Sequence, residues 1–208
     1  MPHARLDPRA ISTPAHIELL ASSVRQEIVD TLSALGGEAS VPELAQHIGS
    51  HMDGMYYHMR LLCKAGLVIE TDSGSGRERR FRLPGRKGEP LRLAYRPAVE
   101  GNSDALRAYM QGLVQVAARD FEGALAIPGV VTAGKRRQLW AARNKGWVSS
   151  SDLEEINRLL ERLCELASQP RADNRNLLVS LVFALAPSPV RSKRRASPCE
   201  DKQCRARR

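Results

Sequence analysis

The chain has 208 residues and a net charge of +9, with 42% of residues apolar and 26% charged; this suits one ordinary globular domain plus a small second one and argues against a disordered chain. The longest apolar run, 177–186, is too short to cross a bilayer, the first 14 residues hold no signal-peptide core, and four Cys in so long a chain make no disulfide framework. These features argue against a membrane protein and a secreted mini-protein, and they point to a reducing, cytoplasmic location.

Residues 1–13 show no periodicity and read as a flexible arm. From Pro14 to Leu35, the residues Ile17, Leu20, Ala21, Val24, Ile28, Leu32 and Leu35 recur at helical spacing, with a break near Ser22-Ser23 and a stop at Gly36-Gly37. Ser40-Val-Pro-Glu43 has the hydroxyl and the later Glu of a capping box, so a short helix should run to Ile48 and end at Gly49-Ser50. A third helix is expected from His51–Asp53 to about Ala65, with Met55, Met59 and Leu62 facing inward and Gly66 ending it.

Residues 67–71 and 79–83 read as strands of a hairpin around the Gly-rich 72–76. Pro84, Pro90 and Pro97 mark an extended connector with room for a brief strand at 91–95. A longer helix should run from Ser103 to about Ala126, its broad stripe formed by Leu106, Tyr109, Met110, Leu113, Val114, Ala117, Phe121 and Leu125. Residues 137–143 suggest a strand, and Ser151-Asp-Leu-Glu154 a capping box opening a helix that carries Leu153, Ile156, Leu160, Leu163 and Ala167. Leu177–Leu185 reads as a buried strand, and 188–208 as a basic, disordered tail.

Charge is unevenly distributed. Residues 71–97 hold eight Lys/Arg against three acids and 188–208 hold eight against two, which leaves the remainder at −2. Two basic segments on a nearly neutral body suit a polyanionic partner. Arg outnumbers Lys by 26 to 6, so compositional bias is an equal explanation, and charge alone leaves the two open.

The order helix, short helix, tight turn, helix, basic hairpin is that of a winged helix-turn-helix, whose second helix enters the major groove while the hairpin grips the flanking backbone. Tyr57-His58-Met59, Leu62 and Ala65-Gly66-Leu67-Val68 run into the Arg-rich hairpin, with Val24-Arg-Gln-Glu-Ile-Val29 and Pro42-Glu-Leu-Ala45 upstream. Over roughly residues 15–85 this resembles the winged helix-turn-helix of ArsR-like bacterial transcriptional regulators. The resemblance implies a homodimeric DNA-binding regulator. Metal-sensing members carry paired Cys on the helix before the recognition helix; Val41–Ile48 has none, so the metal-sensor role does not transfer. Gly54 weakens the recognition helix by about 1 kcal/mol relative to Ala, either for close approach to DNA or as a tolerated cost.

With Met55, Met59 and Leu62 inward, the outward positions are Met52, Asp53, Tyr56, Tyr57 and Arg60. Tyr56 and Tyr57 can hydrogen-bond a phosphate or a base edge and touch a thymine methyl, while Arg60 and Lys64, further along, suit phosphates. Packing of Tyr57 against the first helix and plain solvation of Lys64 are the competing readings. In the hairpin, Arg80 and Arg82 share one face, and Arg79 and Phe81 the other. Phe81 is a core candidate; Arg77, Arg80 and Arg82 form the expected backbone clamp, with a tip arginine available to the minor groove.

The other chemistry-bearing residues are weaker signals. His47 and His51 are separated by the Gly49-Ser50 break, and Cys199 and Cys204 lack a second ligand pair, so no metal site is expected. Neither a phosphate-binding Gly loop, a nucleophile elbow nor a carboxylate cluster is present, so neither a cofactor nor an enzymatic activity is expected. Trp140 and Trp147 suit a core or interface, with a pocket for a small-molecule effector left open.

The expected fold is therefore mainly α with small β. It divides into an arm (1–13), a winged helix-turn-helix domain (14–85), a linker (86–102), a dimerisation and effector region (103–187) and a basic tail (188–208). Dimerisation is assigned to Leu106, Tyr109, Met110, Leu113, Val114, Ala117 and Phe121 of the long helix, and a small α/β C-terminal region follows it. The expected function is a sequence-specific regulator, a repressor, that binds double-stranded DNA as a homodimer. The alternative is a winged-helix protein-interaction module whose basic tail binds nucleic acid without specificity.

Overall fold

The computed structural model describes residues 10–49, 51–71, 79–85, 90–96 and 98–188. Most of the arm and nearly all of the basic tail expected from sequence lie outside these residues, as do Arg77, Cys199, Cys204 and the side chain of Asp53. The elements in order are β1 (Ala10–Ile11), α1 (Pro14–Leu19), α2 (Ser23–Ala34), β2 (Glu38–Ser40), α3 (Val41–Ile48), α4 (Met52–Lys64), β3 (Ile69–Thr71), β4 (Arg80–Arg82), β5 (Arg92–Leu93), α5 (Asn102–Leu125) and α6 (Ser150–Ala167).

Local chemistry places the boundaries. Thr13 caps α1 by accepting from the His16 amide at 3.3 Å, with Pro14 in the first turn. The expected break at Ser22-Ser23 separates α1 from α2. At α3 both halves of the capping box form: the Glu43 amide donates to Ser40 Oγ at 3.4 Å, and the Ser40 amide donates to Glu43 Oε2 at 2.7 Å. Gly49, at φ 67°, closes α3 in the left-handed conformation and turns the chain towards α4, where any side chain would be strained.

The apolar stripes of α1 to α4 meet in one core. Ile17, Ile28, Leu32, Leu44 and Leu62 are fully buried, with Met55, Met59 and Phe81 beside them. Each such side chain contributes about 1.5–3 kcal/mol on burial. A three-stranded antiparallel sheet, in the order β2-β4-β3, closes one side; Phe81 pairs with Ala39 on β2 and Glu70 on β3. The hairpin was legible, but β2 was not, because its three residues precede a helix cap. β5 pairs in parallel with β1, residues that the sequence left as part of an arm.

The first turns of α5 pack on α1 and α2, so the connector does not separate two cores. Asn102, fully buried, donates from Nδ2 to the carbonyls of Arg96 at 2.9 Å and Ser12 at 3.4 Å. Gln26 Nε2 donates to the Tyr109 carbonyl at 3.2 Å. Of the residues assigned to dimerisation, Leu106 and Tyr109 pack on the chain's own core; Met110, Leu113 and Ala117 are half-buried, and Val114 and Phe121 are exposed.

Beyond α5 the expectations need correction. Strands at 137–143 and 177–185 do not form, and within Leu177–Leu185 only Val182 is even half-buried. The region is α6 with irregular chain on either side, not a small α/β unit. An apolar composition signals a need for burial, but nothing among the described residues covers this segment. The capping box of α6 is Ser149 with Asp152, two residues earlier than expected: the Asp152 amide donates to Ser149 Oγ at 3.1 Å and the Ser149 amide to Asp152 Oδ2 at 2.8 Å. Two overlapping serine–acid pairs compete here, and the earlier one lengthens the helix.

At the α2–α5 junction Arg119 pairs with Glu27 at 2.8 Å. Loss of water around the Asp30 carboxyl, then the charges of Asp120 and Glu27, push its pKa up to about 6. Asp30 as a whole is exposed, so solvent screens much of the effect. A carboxyl whose folded pKa lies above its unfolded one binds its proton sooner in the folded state. Stability from this group therefore grows as pH falls through about 6, and the carboxylate opposes folding above that. Asp30→Asn should raise Tm by a few degrees near pH 8 and leave it unchanged near pH 4, read by calorimetry across pH.

Candidate nucleic-acid interface

α3, the Gly49 turn and α4 set two short helices against each other, with α2 behind them. The α4 periodicity sorts its side chains by face. Met55, Met59 and Leu62 are buried at 2%, 1% and 0% exposure, whereas Met52, Tyr56 and Tyr57 are open at 49%, 45% and 56%. Arg60 and Lys64 are exposed on the same helix. Tyr57 does not sink against the first helix; its ring lies edge-on to His58 with centroids 5.3 Å apart. Large exposed side chains with hydroxyls and cations on one helical face are suited to a groove in which bases and phosphates alternate.

The hairpin arginines divide differently from the expectation. Arg80 Nε lies 3.3 Å from Glu38 Oε1, and Arg80 Nη2 lies 3.3 Å from Glu43 Oε2. Arg80 therefore ties β4 to β2 and to the first turn of α3. The Ser40 amide and then the Arg80 charge hold the Glu43 carboxyl below its ordinary pKa. Arg82 is half-buried and donates from Nη1 to the Leu83 carbonyl at 3.3 Å. Neither is the free clamp residue expected, because β2 makes β4 the central strand of the sheet and brings carboxylates alongside it. Arg79, expected to share the face of Phe81, precedes the strand and is exposed, 3.4 Å from Glu70.

One residue went unnoticed as a site residue in the sequence. Arg25, on α2, donates from Nε to the Leu19 carbonyl and is close enough to act electrostatically on Tyr57 and His58. Burial and then the Arg25 charge lower the His58 pKa from its ordinary value. Arg25 stood in the sequence as a residue between core positions, with no periodicity to mark it as a neighbour of α4.

Outside this face, His47 Nδ1 contacts the Glu43 carbonyl at 2.9 Å, and among the described residues no three His, Cys, Asp or Glu side chains converge on a metal position. Trp140 and Trp147 are 64% and 88% exposed, and the Arg137 guanidinium lies 3.2 Å above the Trp140 ring. Among the described residues no helix is long and apolar enough to cross a membrane.

Residues 20–71, about a quarter of the chain, match the family model of a helix-turn-helix domain. That span runs from the end of α1 through α2, β2, α3, α4 and β3. No curated protein matches the chain. Residues 20–71 thus carry a helix-turn-helix domain, of the kind with which regulators bind DNA, and further helices and a small sheet accompany it.

Proposed function

We propose that this protein is a sequence-specific transcriptional regulator of the ArsR-like winged type, a repressor that binds duplex DNA as a homodimer. α4 lies in the major groove, and the β3–β4 hairpin rests on the flanking backbone. The observation that carries this reading is the two-faced α4: Met55, Met59 and Leu62 sealed against the core, and Met52, Tyr56, Tyr57, Arg60 and Lys64 open on the helix that follows the Gly49 turn. In this reading Tyr56 and Tyr57 contact base edges. Arg60 and Lys64 hold phosphates, and the neighbouring Arg25 and Arg79 extend the cationic rim. Residues 14–85 read DNA, 86–102 connect, and 103–187 pair the two copies.

The test begins with selection of a binding site from random duplexes, followed by fluorescence anisotropy over a salt series. Arg60→Ala with Lys64→Ala should weaken binding to all sequences and flatten the log–log salt slope by about 1 to 2. Tyr56→Ala should change the preferred sequence more than the non-specific affinity. An unchanged slope, or a wild-type chain without sequence preference, refutes the reading.

A second reading is favoured by the ion pairing of Arg80 and the carbonyl bond of Arg82, which leave fewer free cations on the hairpin. In it, the domain mediates protein assembly and the basic tail binds nucleic acid. Deleting 188–208 separates the two: selective binding survives under the first reading and never existed under the second.

A further inference from the structure

The region after α5 presents surfaces that its own chain leaves open. On α6, Leu153, Ile156, Leu160, Leu163 and Ala167 follow one another at alternating spacings of three and four, and Leu159 and Leu166 add a third row. No residue of this helix is buried. Three apolar rows are what a helix of a bundle needs on the side facing its neighbours, more than the two rows of a simple coiled-coil seam. α5 offers a matching edge: Val114, Phe121 and Leu125 are exposed at spacings of seven and four. The two helices do not pack together within one chain, since α6 packs extensively on no other element.

Charge gives the second observation. The stretch between α5 and α6 carries Lys135, Arg136, Arg137, Arg143 and Lys145 and no acid, and among the described residues none of these five makes an ion pair. α6 has the opposite sign, with five acids against two arginines. Among the described residues Arg158 and Arg162 pair with Glu155 and Glu165 of the same helix, while Glu154 and Glu161, one heptad apart, meet no cation. An unpaired cationic strip and an acidic helix thus stand side by side in the sequence without meeting within the molecule.

We propose that α6 of one copy docks on the outer edge of α5 of a second copy. Its apolar rows cover Val114, Phe121 and Leu125, and its Glu154–Glu161 row lies along the cationic strip that follows that α5. Two-fold symmetry then makes the exchange reciprocal and builds a four-helix seam. A second copy is the occupant because it brings both complements, apolar edge and cationic strip, in equal number to the α6 it receives. The inference rests on the homodimeric reading above and assigns it to an exchange of C-terminal arms.

The test is sedimentation of the full chain over a micromolar concentration series, with far-UV circular dichroism as the folding check. The wild type should be dimeric. Leu163→Glu on α6 and Val114→Glu on α5, both at exposed positions, should each weaken the dimer by roughly tenfold or more with helicity unchanged. Glu154→Lys with Glu161→Lys should also weaken it, and Arg136→Glu with Arg137→Glu should restore it. A monomeric wild type, a dimer unmoved by Leu163→Glu, or a dimer broken by Leu163→Glu but not by Val114→Glu overturns the proposal; the last result would pair α6 with α6. Binding of duplex DNA is measured separately: a dimer that responds to these substitutions but binds no DNA refutes the regulator reading and supports the exchange.

Discussion

Gly112→Ala should destabilise the protein, by about 1–3 kcal/mol, although the same change in an exposed helix stabilises by about 1 kcal/mol. A methyl group at Gly112 would collide with the carbonyl oxygen of Ala21 and lie 3.1 Å from Gln26 Nε2. The obstructing atom is backbone at the α1–α2 junction, which cannot rotate aside as a side chain would. Relief requires α5 to move outward, and one turn earlier the Tyr109 carbonyl accepts the 3.2 Å bond from Gln26. Stretching that bond leaves a buried amide without its acceptor, a further cost of about 1–3 kcal/mol if it breaks fully. Gly123, on the same helix, has nothing within 4 Å. Gly123→Ala is therefore the control and should be neutral or stabilising. Thermal unfolding of the two variants reads the contrast directly; a gain in both would mean that α5 does not approach α1 and α2 as closely as described. In the dimeric reading the displaced α5 also changes the separation of the two α4 helices, so Gly112→Ala should weaken binding to a two-half-site duplex more than to a single half-site.

The elements that could be read from sequence are those whose signal is local. The stripe Met55, Met59 and Leu62, the Ser40–Glu43 box and the Gly49 stop each specify a helix or its end within a few residues, and all three stand where expected. The exposed face of α4 follows from that stripe by geometry alone. Contacts made across the chain were not legible. β2 and β1 are two or three residues long and exist because β4 and β5 run alongside them. Arg80 and Arg82 were assigned by alternation to a free face, and alternation carries no information about a third strand whose Glu38 meets Arg80. Arg25 becomes a neighbour of α4 only through the α2–α4 packing. At the C-terminal end the failure is of another kind. The apolar content of 177–185 reads as a buried strand, yet the segment is irregular and largely exposed, because composition names no partner strand to pair with.

Leu62→Ala is expected to have the larger effect on the helix-turn-helix domain, about 2–5 kcal/mol. Leu62 is fully buried where α4 meets the core, and its carbonyl accepts from the Leu67 amide at 3.0 Å, which fastens the end of the helix to the start of the sheet. Shortening the side chain removes apolar contact and leaves a cavity where α4 packs on α2 and α3, whose helices resist collapse. Set against the roughly 5–15 kcal/mol that typically holds a domain together, this is a large share. Leu61, the preceding residue, is the internal comparison. One helical step turns the side chain by about 100°, and Leu61 is only half-buried. Leu61→Ala should therefore cost under about 1 kcal/mol more than the loss of its partial contact. Urea unfolding should show a markedly lower midpoint with an unchanged slope for Leu62→Ala, and a small shift for Leu61→Ala. If α4 is the reading helix, Leu62→Ala should keep its sequence preference below its lowered midpoint and lose DNA binding as the domain melts, because the residue touches no DNA and acts only by holding Tyr56, Tyr57 and Arg60 in place. Equal losses from the two leucines would place the buried face of α4 elsewhere, and with it the face proposed to meet the groove.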